Sequence, residues 1–167
     1  EATIEAILRA NLMACAAPSG PSYVILDRRL QEDPLTHKVE FPDLERFAPP
    51  QRLIPTLETL QPVAQILEDA KHPVMLLGRV SRLQTDWDAR VLLAERLSAR
   101  VITGLSSGAA FPTGHPLHGG PADLFLSAND RKLLSQADVV LSFDWPDLAD
   151  VLVQAREHGP AAFKVIH

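Results

Sequence analysis

The chain has 167 residues, 46% hydrophobic and 22% charged, which is the usage of an ordinary folded protein and excludes a disordered one. Its 16 basic and 21 acidic side chains give a formal net charge of −5 with no basic block, so a nucleic-acid or anionic-membrane surface is not expected. The longest apolar run is the six residues Leu12 to Ala17, far short of the roughly 20 that cross a bilayer, and the single cysteine, Cys15, allows no internal disulfide.

The start, Glu1-Ala2-Thr3-Ile4-Glu5, is acidic where a secretory signal is basic, so a cytoplasmic chain is expected. Ile4, Ile7, Leu8, Leu12 and Cys15 recur at helical spacing until Pro18-Ser19-Gly20-Pro21 stops them, and Tyr23-Val24-Ile25-Leu26 reads as a buried strand. One helix and one strand cannot enclose a core, so residues 1–33 are expected to be the last unit of a domain that begins earlier. Six of the 14 prolines lie between Pro34 and Pro62. A segment without period and with fixed φ at so many positions is expected to be an extended linker, residues 34–60.

From residue 61 onward the pattern alternates. Val63, Ile66, Leu67 and Ala70 form a helical stripe, followed by the apolar run Val74-Met75-Leu76-Leu77 ending at Gly78. Thr85 with Asp88 resembles a capping box, and Trp87, Val91, Ala94 and Leu97 share a face of the next helix. The short strand Val101-Ile102-Thr103 leads into a Gly-, Pro- and Ser-rich loop from Gly104 to Pro121. A helix carrying Leu133 and Leu134 precedes the strand Val139–Phe143. Pro146 suits the first turn of a helix striped by Leu148, Val151, Leu152 and Ala155, Gly159-Pro160 ends it, and Phe163–Ile166 is a fourth strand. Continuous apolar strands alternating with amphipathic helices imply α/β architecture: a Rossmann-like, doubly wound parallel sheet over residues 61–167. Because the chain stops on a strand, it is expected to be cut from a longer polypeptide. It is also expected to self-associate through the edge near Phe163–Ile166.

Several patterns bear on chemistry. After the first strand the text is Gly78-Arg79-Val80-Ser81-Arg82, one glycine where a dinucleotide fingerprint has three, and no phosphate loop occurs. Arg79 and Arg82 would face a phosphate at the sheet's C-terminal edge, or stand as solvated loop cations. Gly104-Leu105-Ser106-Ser107-Gly108 has the G-x-S-x-G spacing of a serine hydrolase, with Asp144 and His158 in the right order. Pro112, Gly114 and Pro116, however, interrupt the helix that a nucleophile elbow requires. His115 and His118 with Asp123 could ligate a metal, although hydrogen-bonded loop histidines account for them better. Asp144 could hold a ribose hydroxyl or cap the following helix.

The loop Gly108-Ala109-Ala110-Phe111-Pro112-Thr113-Gly114-His115-Pro116-Leu117-His118 resembles a segment of thiamine-diphosphate enzymes of the acetolactate synthase type. His72-Pro73-Val74-Met75-Leu76-Leu77-Gly78 is similar to that family's first central-domain strand. Trp87 with Leu93-Ala94-Glu95-Arg96-Leu97 falls on its next helix, and Ala137-Asp138-Val139-Val140-Leu141 and Lys164-Val165-Ile166-His167 match later strands. Gly20-Pro21-Ser22-Tyr23-Val24-Ile25-Leu26 is similar to the end of its pyrimidine-binding domain. The resemblance implies the tail of that domain, a linker and the central domain of a lyase or carboligase acting on 2-oxo acids. It also implies partners in the remaining domains of the same polypeptide and a parent that is a homo-oligomer, dimer or tetramer. The family's catalytic Glu and its Gly-Asp-Gly magnesium segment have no counterpart here. No catalytic residue is therefore expected in this chain, and thiamine diphosphate and Mg belong to the parent enzyme. Some family members hold FAD or ADP in this domain. Arg79 and Ser81 replace part of the glycine-rich turn, but a nucleotide would lie among Gly78, Arg79, Thr103, Gly104 and Asp144. A non-catalytic nucleotide-binding regulatory module is the alternative reading.

Overall fold

The computed structural model describes residues 2–16, 19–36, 38–50, 54–123, 125–157 and 162–167. The chain divides into two units, Glu1–Ile54 and Pro55–His167. In the first, α1 (Ala2–Cys15), α2 (Arg28–Glu32) and a 3-10 turn (Leu44–Phe47) bury no residue. Asp27 and Asp43 cap α2 and the turn by accepting the amides of Arg29 and Glu45. The expected strand Tyr23–Leu26 joins no ladder, and Tyr23 is 89% exposed. An apolar run makes a strand only where a partner supplies hydrogen bonds, and no described segment of this unit does so. Pro18, expected to stop α1, lies outside the described residues.

The second unit opens with α3 (Leu57–Glu68), capped by Thr56 and carrying Pro62 inside it; this helix starts within the stretch read as linker. Four strands follow: β1 (Pro73–Leu77), β2 (Arg100–Thr103), β3 (Val139–Phe143) and β4 (Lys164–Ile166). They form one parallel sheet in the order β2-β1-β3-β4. Between them run α4 (Gln84–Leu97), α5 (Ala128–Ser135) and α6 (Leu148–Arg156). All five residues of β1 are buried, as a strand covered on both faces requires. Alternation sends Val74 and Leu76 to one face, where Leu134, Val140, Val151 and Ala155 meet them under α5 and α6. Met75 and Leu77 go to the other, where Ala94, Val101, Phe111 and Leu141 close the core under α4 and the long loop. The sheet is therefore doubly wound, as the periodicity predicts.

Three local expectations are corrected. Thr85 is not a cap: α4 begins after Leu83, whose amide bonds the Ser81 hydroxyl, while Asp88 accepts from the Gln84 amide side chain. The first turn of α6 is capped by Asp147, so Pro146 precedes the cap and Asp144 is free for another role. The Gly159-Pro160 stop lies outside the described residues. Among the described residues no helix is long and apolar enough to cross a membrane.

Candidate functional site

The strand order reverses between β1 and β3, and the C-terminal ends of these strands frame the crevice where open α/β sheets hold ligands. Here the two strand ends touch. The Gly78 amide donates to the Phe143 carbonyl and the Arg79 amide to the Asp144 carbonyl, both at 3.0 Å. A Cβ on Gly78 would strike the Asp144 carbonyl oxygen and stand 2.6 Å from the Trp145 Cα, so only glycine allows this approach. Asp144 has a left-handed φ of 47°, which Asp tolerates better than most side chains. That bend brings its Oδ1 2.9 Å from Arg79 Nη2. Sequence reasoning placed Gly78, Arg79 and Asp144 together, and the structure assembles them as one closed contact.

The other two predicted residues stand apart from it. Gly104 lies beneath the Trp145 ring, whose Cη2 would be 3.5 Å from a Cβ there. The Thr103 hydroxyl shares a buried 3.0 Å hydrogen bond with His118 Nε2. Burial pulls the His118 imidazole below its ordinary value, as does Arg100; the Asp130 charge and the Thr113 carbonyl oppose this.

The loop from Gly104 to Pro121 is pinned by two arginines. Arg90, buried on α4, donates through Nε to the Ala110 carbonyl at 3.1 Å and through Nη2 to the Ala109 carbonyl at 3.4 Å. Burial draws its guanidinium below its ordinary value, opposed by Asp86. Arg100 donates to the carbonyls of Pro116 and His118, each at 3.2 Å. Phe111 sits between the His115 ring, edge-on at 5.1 Å, and the His118 ring, stacked at 6.3 Å. The loop then returns to β2: Val101 bonds Leu117 and Gly119, covering that edge of the sheet.

A hollow of about 380 Å³ lies on the α4 side of the strand ends, lined among others by Arg79, Ser81, Arg90, Phe143 and Asp144. Arg79 is half exposed and could meet an anion, whereas Arg90 is engaged with carbonyls. Sequence reasoning missed Arg90 and Trp145. Arg90 carried a signal, since it interrupts the apolar stripe of Trp87, Val91 and Ala94, where a charge is buried only with partners.

The hydrolase and metal readings find no geometry. Ser106 is exposed in a turn, the next helix starts only at Ala128, and His118 bonds Thr103; His158 lies outside the described residues. His115 bonds Glu95 and the Leu117 amide. No group of three or more potential metal ligands occurs among the described residues. Neither these residues nor the sequence, which lacks Gly-Asp-Gly, fits magnesium or a thiamine diphosphate headgroup.

Residues 60–167 match the family described as "Thiamine pyrophosphate enzyme, central domain". The sulfoacetaldehyde acetyltransferase of Roseovarius nubinhibens is 44% identical over 85 residues, 51% of this chain and 14% of that protein. That of Rhodobacter capsulatus is 42% identical over 90 residues, 54% of this chain and 15% of that protein. The crystal structure of benzoylformate decarboxylase from Polynucleobacter necessarius superposes with a TM-score of 0.55 at 20% identity, covering 96% of this chain and 29% of that one. A thiamin diphosphate-dependent enzyme from Mycobacterium smegmatis gives 0.53 at 23%, covering 96% and 30%. At these identities the two structures show a shared fold. The chain spans about a seventh of the curated relatives it matches.

Proposed function

The chain belongs to the thiamine pyrophosphate enzymes, as a match to their central domain, and from that premise we propose that it is the structural core of a larger thiamine-diphosphate-dependent enzyme. In this reading the segment is a scaffold without catalytic residues, and the remaining domains of the polypeptide carry thiamine diphosphate with magnesium, assembled as a homo-oligomer. The observation that carries it is the closed crevice, with Gly78 seated on the Asp144–Trp145 backbone where an open α/β sheet would receive a ligand. The group transferred by the whole protein is an acyl unit from a 2-oxo acid or a related aldehyde. The 44% identity to an enzyme named sulfoacetaldehyde acetyltransferase supports transfer over the lyase alternative. The test is the product of the full-length gene loaded with magnesium and thiamine diphosphate. Consumption of sulfoacetaldehyde or pyruvate that stops when the cofactor is withheld is expected, and cofactor-independent turnover would refute the assignment.

A second reading places an ADP or FAD nucleotide on the strand ends, against Gly78, Arg79, Thr103, Gly104 and Asp144. The half-exposed Arg79 beside the 380 Å³ hollow favours it. Thermal shift with each nucleotide separates the readings. A ligand at 100 times its dissociation constant adds about 2.7 kcal/mol, several degrees in midpoint. A shift that vanishes in Arg79→Ala supports a nucleotide site, and no shift supports the scaffold alone.

A further inference from the structure

Among the described residues, three that are not glycine have a left-handed backbone: Ser98 at φ 51°, Ala109 at φ 54° and Asp144 at φ 47°. Two of them have a local reason. Ser98 ends α4 as its C-cap, next to where helices commonly take that conformation, and Asp144 has the short polar side chain that tolerates it. Ala109 ends no helix and carries no polar side chain. Its Cβ crowds the following carbonyl oxygen, so the conformation persists only where the surroundings impose it.

Those surroundings differ on the two sides. After Ala109, Ala110 and Phe111 are 2% and 5% exposed and belong to the core under α4. Before it, Leu105, Ser106 and Gly108 are exposed. The hydrogen bonds that tie Gly104–Ala109 to the rest of the described fold lie at its two ends. The Gly104 amide donates to the Leu77 carbonyl at 3.5 Å, and the Ala109 carbonyl accepts from Arg90 Nη2 at 3.4 Å. The Ser107 amide bonds back to Gly104 itself. Arg90 Nε holds the next carbonyl, that of Ala110, so one planar fork grips two successive peptides. With both planes fixed after Ala109, the exposed arm joins them through the φ of Ala109.

We propose that Gly104–Ala109 is a flap hinged at Ala109 and latched by Arg90, whose guanidinium imposes the left-handed backbone there. Withdrawing it from the two carbonyls frees the flap, while the strap Pro116–Gly119 stays in place. The strap has its own anchors: Arg100 on the Pro116 and His118 carbonyls, the Gly119 amide on Val101, and Asn129 on the Gly119 carbonyl. Arg90 also lines the strand-end hollow, so the hollow and the flap share one side chain. No ligand enters the proposal or its test.

A double-mutant cycle of Ala109→Gly and Arg90→Met, read by urea unfolding, measures the latch. The freedom that glycine adds to the unfolded chain is the same with and without Arg90 and cancels, so the coupling reports the strain at Ala109 alone. Ala109→Gly should favour folding about fivefold or more in the Arg90 chain relative to its effect in Arg90→Met. Backbone amide order parameters give a local reading. Those of Leu105–Gly108 should fall from about 0.85 to below about 0.6 in Arg90→Met, and those of Leu117 and Gly119 should hold. Arg100→Met should leave the flap unchanged. If Arg90→Met fails to fold, Arg90→Lys takes its place in both measurements, since it keeps the charge and lacks the fork. A coupling below about twofold, a flap as rigid in the Arg90 variant as in the wild type, or equal loosening of the strap would overturn the proposal.

Discussion

Replacing Gly78 by Ala tests the contact on which the strand-end geometry rests. The added methyl carbon falls against the Asp144 carbonyl oxygen and 2.6 Å from both the Asp144 carbonyl carbon and the Trp145 Cα. These are backbone atoms, so no side chain can swing aside, and the ends of β1 and β3 must part. Parting them removes the hydrogen bonds from the amides of Gly78 and Arg79, each worth about 1 kcal/mol net. Forcing volume into a packed site adds about 1–3 kcal/mol. The expected loss is therefore about 3–5 kcal/mol, a large share of the 5–15 kcal/mol typical of a domain. Urea titration followed by far-ultraviolet circular dichroism measures it, with a fall in thermal midpoint of about 10–20 °C as the companion reading. Gly114→Ala is the control, because nothing lies within 4 Å of a Cβ there. It should change stability by less than about 0.5 kcal/mol. If Gly78→Ala costs no more than the control, the crevice is not closed by this contact and the scaffold argument fails.

Four further outcomes are expected, at three residues. Asp144→Asn keeps a residue suited to φ 47° and breaks only a half-exposed ion pair, so chemical denaturation should register a loss below about 1 kcal/mol. Asp144→Val should lose more, about 1–2 kcal/mol beyond that, from the left-handed backbone alone. Burial pushes the Asp138 carboxyl up, but the amides of Lys71 and His72, 2.6 and 3.0 Å away, outweigh it and hold the group below its usual value. Because the folded-state value is depressed, this stabilisation is present above about pH 4 and fades as acid protonates the native carboxylate. Asp138→Asn should therefore be less stable by about 1 kcal/mol at pH 7, and the gap should narrow below about pH 4. His118 is depressed by burial, so its neutral form stabilises the fold above about pH 6.5, and that contribution falls as the pH drops toward its folded value. His118→Gln should flatten the stability profile of the wild type below about pH 6.5; an unchanged slope would show that His118 does not titrate with folding.

Periodicity located the strands and the helices between them best where β1, β2 and β3 are covered on both faces and α4, α5 and α6 on one. The chemistry of burial is then written directly into residue type, as in Pro73–Leu77. The capping box at Thr85 misled because residue types alone cannot tell where the helix begins: α4 starts after Leu83, which has no side-chain cap, and Ser81 only accepts the Leu83 amide. Tyr23–Leu26 misled for a different reason, since a strand is a property of a pair and only one member could be read. At the strand ends, topology put Gly78, Arg79, Thr103, Gly104 and Asp144 around one crevice, and three of them, Gly78, Arg79 and Asp144, touch there. It did not foretell that they would close on one another, which depends on a left-handed φ at Asp144 that no composition signals.

The strap from Pro116 to Gly119 along β2 makes the sheet directional. Val101 donates to Leu117 and accepts from Gly119, so the outer hydrogen-bonding groups of that residue are already occupied. At the opposite margin Val165 is 42% exposed and β4 pairs on one side with β3. Growth of the sheet is therefore polar. Among the described residues the margin left without a ladder partner is Lys164–Ile166, while the β2 margin is closed. The loop from Gly104 to Pro121 thus acts as an end-stop on the β2 margin.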